Sequence, residues 1–128
     1  MCLLTMTKQE MGRLAEEAAA HLYIKSGYRE ITRNFRCGKI GELDIILTRT
    51  LSDGSSEVIF CEVKCRSDTA FAPPALAVNY KKRERIQKLA QIFLFQHREF
   101  YRAQLRFDIA EVAYCNETFH VNILENAF

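Results

Sequence analysis

Glycine and proline are scarce, five and two among 128 residues, while nine Phe and five Tyr are present. That balance excludes a disordered or low-complexity chain, which has few aromatics and many chain breakers. No apolar run approaches the roughly 18 residues that a membrane-spanning helix needs. The opening Met1-Cys2-Leu3-Leu4-Thr5-Met6 has no basic flank and is too short for a secretory signal. A cytoplasmic location without membrane contact is expected, with residues 1–6 as a flexible N-terminus to a single domain spanning 1–128. The five cysteines (Cys2, Cys37, Cys61, Cys65, Cys115) are odd in number and none falls in Cys-x-x-Cys. Neither a zinc site nor a disulfide framework is indicated, and the thiols are expected to be reduced and mostly buried. His21, His97 and His120 show no ligand spacing.

Positive charge is also missing where it would be informative. From Phe107 to the C-terminus there is no Lys or Arg, but there are Asp108, Glu111, Glu117 and Glu125. The basic residues gather instead in Lys81-Lys82-Arg83-Glu84-Arg85 and in Arg29, Arg33, Arg36 and Lys39. A net charge of +2 distributed in this way suggests one face that meets polyanions. A solvated basic face with no partner is the alternative.

Thr7-Lys8-Gln9-Glu10 is a capping box that opens a helix over about 8–25, with Met11, Leu14, Ala15, Ala18 and Leu22 as its apolar stripe and Ser26-Gly27 as its stop. Residues 28–36, 42–49 and 57–66 read as strands. The Asp53-Gly54 turn signal joins the second and third as a hairpin. Residues 67–79, with Pro73-Pro74, read as a loop. A second helix covers about 80–97, with Ile86, Leu89, Ala90, Phe93, Leu94 and His97 on one face. Strands over 104–113 and 119–123 follow, separated by Asn116-Glu117. The order predicts one α/β domain: a mixed sheet of about five strands flanked by two main helices.

The third strand carries a charge anomaly. Glu62 and Lys64 share one face of a segment otherwise built from Val58, Ile59 and Phe60, and interior charges are costly unless paired or metal-bound. The second strand repeats it, with Glu42 and Asp44 on one face and Leu43 and Ile45 behind. Positions 44 and 62 lie symmetrically about Asp53, so Asp44 is expected opposite Glu62. Like charges so placed repel. A divalent cation removes the repulsion, and hard oxygen ligands suit Mg²⁺ or Mn²⁺. Lys64 would then stabilise developing phosphate charge. An ion pair of Lys64 with Glu62 or Asp44, with no metal, is the alternative.

Asp44 followed by Glu62-Val63-Lys64 resembles the PD-(D/E)XK motif of restriction-endonuclease-like nucleases. With Gly12-Arg13-Leu14-Ala15-Glu16, Arg33-Asn34-Phe35-Arg36, Gly41-Glu42-Leu43-Asp44, the segment from Lys82 to Ile86 and Arg106-Phe107-Asp108, the chain resembles the YraN family over about residues 10–124. That family is similar to archaeal Holliday-junction resolvases. The resemblance implies a restriction-endonuclease-like fold and a metal-dependent endonuclease acting on DNA, branched DNA included. It implies Asp44, Glu62 and Glu16 as metal and catalytic acids, Lys64 as the catalytic lysine, and Glu42 in an assisting or structural place. Glu17 departs from the family pattern, which puts the acid directly after the small residue. Ala15 and Ala72 stand where glycines are expected, changes that remove no chemistry. Because a junction has two scissile strands, the resemblance also allows a symmetric homodimer.

Lys81, Lys82, Arg83 and Arg85 at the start of the second helix are candidate phosphate contacts, since a helix N-terminus otherwise disfavours cations. Arg36 and Arg66 are further candidates on the same surface, with Arg33. Two other readings stay open: a nucleic-acid-binding protein without catalysis, and a structural or partner-docking protein.

Overall fold

The computed structural model describes residues 6–66 and 79–128, with the Arg66 side chain also outside the description. The expected flexible N-terminus (but for Met6), the proline-bearing loop and Ala72 therefore lie outside the described residues. Helix α1 (Lys8–Lys25) starts at Thr7, whose hydroxyl oxygen accepts the Glu10 N–H at 3.0 Å. It stops where Gly27 takes φ +98°, a left-handed conformation that favours glycine. Strands β1 (Arg29–Cys37), β2 (Gly41–Thr50) and β3 (Ser56–Arg66) follow as a meander. Helix α2 (Tyr80–Gln96) and a single 3-10 turn at Arg98–Phe100 lead to β4 (Gln104–Cys115) and β5 (Thr118–Leu124). The sheet order is β1-β2-β3-β4-β5, with β3 and β4 parallel and every other pair antiparallel. This is the five-stranded mixed sheet with two main helices expected from the sequence. No helix among the described residues is long and apolar enough to cross a membrane.

Each helix covers one face. Under α1 lie Ile45, Leu47, Ile59, Cys61, Ala110 and Val112; under α2 lie Leu43, Ile46, Val58, Phe60 and Ile109. The α2 stripe matches its expectation, with Ile86, Leu89, Ala90 and Phe93 buried. His97 stacks on the Phe93 ring at 4.0 Å and hydrogen-bonds the Phe93 carbonyl at 2.9 Å, so its place is structural. The α1 stripe differs: Ala15, Ala19, Ala20 and Tyr23 are the buried set. The buried face is turned by about one residue, and on it Tyr23, which is not in the expected stripe, donates its hydroxyl to buried Asp108 at 2.7 Å.

A second difference bears on the site. Leu43 and Ile45 were expected behind the same face, yet they belong to opposite cores. Opposite them, Arg33 reaches Glu17 of α1 while Phe35 packs edge-on against Phe93 of α2. Between them Asn34 has φ +55°. A left-handed residue in a strand breaks the two-residue alternation, and both strands change face together at the rung of Asn34 and Asp44.

Candidate active site

The hairpin register puts Ile45 opposite Cys61 and Ile46 opposite Phe60; one rung further, Asp44 meets Glu62. β3 is the central strand, so Glu62 has little water to turn to and is only 5% exposed. One Asp44 oxygen accepts the Val63 N–H at 2.7 Å. The Glu62 Oε1 accepts from the Lys82 ammonium at 2.6 Å, and its Oε2 is buried with no hydrogen-bond partner. Burial, then the charge of Glu62, push the Asp44 carboxyl up to about 8, against the lowering effect of the Val63 N–H. Two carboxyl groups in contact with little water cannot both ionise cheaply.

Glu16, half-buried on α1, approaches the same group. Burial raises its carboxyl, Asn34 lowers it, and Glu42 and Glu62 raise it again. In the amide orientation that satisfies both acids, Asn34 donates to Glu42 Oε1 at 2.7 Å and to Glu16 Oε1 at 3.3 Å. The left-handed Asn34 thus links the helix acid to the strand acids. Glu17, one residue on, is exposed and bonded to Arg33. Lys64, on β3 beside Glu62, is lowered by burial and by its neighbour Lys82. Burial would lower Lys82 too, but its bond to Glu62 and the surrounding acids carry it upward.

The basic residues divide. Lys82 turns inward to Glu62. Arg36 pairs with Glu42 at 2.5 Å, and Arg33 with Glu17 and Glu30. Arg85 packs against Gly41, where a Cβ would come within 3.0 Å of its Cδ and where φ is +136°. Arg83 lies over the Phe128 ring, and Lys81 is exposed. The α2 N-terminus is capped by Asn79, whose side chain accepts the Lys82 N–H at 2.9 Å. Arg66 falls outside the described side chains.

The chemistry of the donors fits a hard divalent cation: the Asp44 and Glu62 carboxyl groups face each other, Glu62 Oε2 has no fixed donor, and burial together with the Glu62 charge keeps a proton on Asp44 near neutrality. Asp44 and Glu62 form the core of such a site, with Glu16 and Glu42 at its rim. Among the described residues no group of three or more His, Cys, Asp or Glu side chains is placed to hold a metal ion, so the fit rests on the facing pair.

A family model described as "Uncharacterised protein family UPF0102" matches residues 15–112, three quarters of the chain. The chain belongs to the UPF0102 family. This is the YraN-like family whose motifs the sequence resembles. Relatives called UPF0102 proteins include one of Alkaliphilus oremlandii, 38% identical over 124 residues, covering 94% of this chain and 98% of the relative. Those of Natranaerobius thermophilus and Caldicellulosiruptor saccharolyticus are 35% and 36% identical, each covering 96% of this chain and all of the relative.

In this UPF0102 chain the acid cluster borders an open cavity of about 650 Å³ between α1 and the β1–β2 hairpin, lined among others by Gln9, Arg13, Glu16, Asn34 and Glu42. Three of the contributors carried little or no signal in sequence. Asn34 was read only as part of a strand motif. The inward turn of Lys82 bridges β3 and α2, which no local pattern reveals. Glu111 is buried in β4 at the rung that pairs with Lys64. In sequence it counts only among the acids of the C-terminal stretch, and the parallel pairing of β3 with β4 is what brings it beside Lys64.

A pH dependence follows from Asp44. Its folded carboxyl binds a proton up to about 8, while the unfolded chain releases it near 3.8. The stability from that proton is complete below about pH 4 and is lost as pH rises through 8. In EDTA, the urea midpoint is expected to fall between pH 5 and pH 8, and this fall to shrink in Asp44→Asn. An equal fall in both proteins would show that Asp44 is not its source.

Proposed function

We propose that this protein is a metal-dependent, resolvase-like endonuclease that hydrolyses DNA phosphodiester bonds. The observation that carries the reading is the buried, unpartnered Glu62 Oε2 opposite a carboxyl raised to about 8. Buried titratable clusters with perturbed acids tend to be functional. Asp44 and Glu62, with Glu16 from α1, are the residues that would hold Mg²⁺ or Mn²⁺. When bound, the ion supplies Lewis-acid polarisation of the phosphate and a water acidic enough to act as nucleophile. Lys64 stabilises the charge that develops on the phosphate, and the Val63 N–H keeps Asp44 oriented. Lys81, Arg83, Arg85, Arg36 and Arg66 are the proposed backbone contacts, and a homodimer in the cytoplasm, acting on the two strands of branched DNA, is the proposed assembly.

The test is cleavage of four-way-junction and linear DNA with Mg²⁺ or Mn²⁺. Lys64→Ala is expected to slow cleavage by about 10²–10³-fold, the scale of losing one electrostatic stabiliser. Cleavage that survives both Lys64→Ala and Asp44→Ala rejects the assignment. The Lys82 ammonium on Glu62 favours a second reading, a DNA-binding protein that never takes up metal. Such a protein would bind DNA in EDTA with steep salt dependence and show no cleavage.

A further inference from the structure

Lys82 is the third residue of α2, where a capping box would carry a glutamate folded back on the cap. Instead its side chain leaves the helix and lays its ammonium on Glu62 Oε1 at 2.6 Å. The contact joins a Glu62 side chain 6% exposed to a Lys82 side chain 31% exposed, which reaches it from the helix. It leaves Glu62 Oε2 buried with no hydrogen-bond partner, although a buried carboxylate oxygen needs one. An ammonium is a compact point charge on a flexible stem, and it can neutralise one carboxylate oxygen but cannot bridge two facing carboxyl groups. Lys64 projects from the central strand beside the same carboxylate and neighbours Lys82. Two ammonium groups beside one carboxylate are therefore already crowded.

We propose that Lys82 is a positioning residue with two places: in the metal-free protein it holds Glu62 as a substitute cation, and metal binding releases it from the carboxylate to the basic start of α2, where it is free to contact a DNA phosphate. The proposal rests on the reading of Asp44 and Glu62 as metal acids. A dication arriving between them repels both lysines. Lys82 is the one that leaves, because its ammonium sits directly on the Glu62 oxygen that the ion would take and its stem can carry it into water. The expelled ammonium then adds to the basic start of α2 beside Lys81, so that metal binding increases the positive charge offered to a phosphate. The salt link between Lys82 and Glu62 and a bound ion are alternatives for the same carboxylate.

Mn²⁺ binding to the full chain, measured by calorimetry without DNA, tests this. Lys82→Met keeps the stem and removes the competing charge, so Mn²⁺ is expected to bind about 5–20-fold more tightly, as removal of a partly buried ion-pair competitor allows. In the parent protein, acetylation of Lys82 by a water-soluble ester, followed by mass spectrometry, is expected to speed up on adding Mn²⁺, with Lys64 changing less. Parent binding with unchanged or weaker binding in Lys82→Met overturns the proposal and leaves the metal reading standing. So does Lys82 acetylation that Mn²⁺ slows or leaves alone. Absence of Mn²⁺ binding in both proteins overturns the proposal and the metal reading together.

Discussion

Asp44→Asn is expected to unfold at higher urea concentration than the parent at pH 8 in EDTA, while Mn²⁺ affinity falls at least about 100-fold and cleavage is lost. Gain and loss have one cause. The parent holds a carboxyl raised to about 8 by burial and then by the charge of Glu62, so at pH 8 without a cation a costly buried charge is forming beside Glu62. An amide at this position can keep the bond that orients the side chain, because its oxygen still accepts the Val63 N–H. Its nitrogen can also donate to Glu62 Oε2, the oxygen left without a partner. The amide removes the repulsion but stays buried, so only part of the cost is relieved, and on a scale of about 1.4 kcal/mol per tenfold change in proton affinity the expected gain is about 1–3 kcal/mol. Loss of a direct ligand costs a metal site more than the 10–100-fold known for outer contacts, which sets the scale for Mn²⁺. Stability held for function is a known trade. Equal or lower stability with Mn²⁺ binding intact would show that the two acids are structural.

The centre of the site was legible because it is local. Asp53-Gly54 sets the hairpin, Gly54 takes φ +87° as that turn requires, and the register that follows brings Asp44 to Glu62. A period of two placed Glu62 and Lys64 on one face without knowledge of the rest of the chain. Legibility stopped where a contact depends on topology. Nothing around Lys82 says that its ammonium crosses to β3, and twenty residues separate it from Glu62. The face exchange at Asn34 was hidden for a different reason. Asn is only moderately enriched in the left-handed region, so a single Asn inside Arg33-Asn34-Phe35 does not signal a broken alternation. The position of Glu16 near the acids depends on the rotation of α1, which Tyr23 sets through a residue on β4.

That anchor is the source of the largest expected loss of stability. Asp108→Ala is expected to destabilise the protein by about 3–5 kcal/mol, the cost of breaking a buried ion pair from one side. Asp108 has no exposed surface and lies one residue from the acid site in the β3 frame: it pairs with Cys61, next to Glu62, while its partner network reaches Glu57 near the start of β3. Its carboxylate accepts from Arg106 Nε at 3.0 Å and from a second Arg106 nitrogen at 2.9 Å, from the Tyr23 hydroxyl at 2.7 Å, and from the Asn126 N–H at 2.9 Å. Arg106 also bonds Glu57 at 3.2 Å and lies over the Tyr28 ring at 5.4 Å. One side chain therefore ties α1, β4 and the C-terminal segment together. Truncation strands the Tyr23 hydroxyl and leaves Arg106 with Glu57 as its near acid, since Glu125 is 3.8 Å away and exposed. Tyr23→Phe removes one arm and leaves the ion pair, so its expected cost is about 1 kcal/mol. Urea unfolding of both variants measures the two values. A loss below 1 kcal/mol for Asp108→Ala, or equal losses for the two, would show that the pair with Arg106 carries little of the fold, and that α1 is held over the acids by its apolar packing and its links to Arg33 and Asn34.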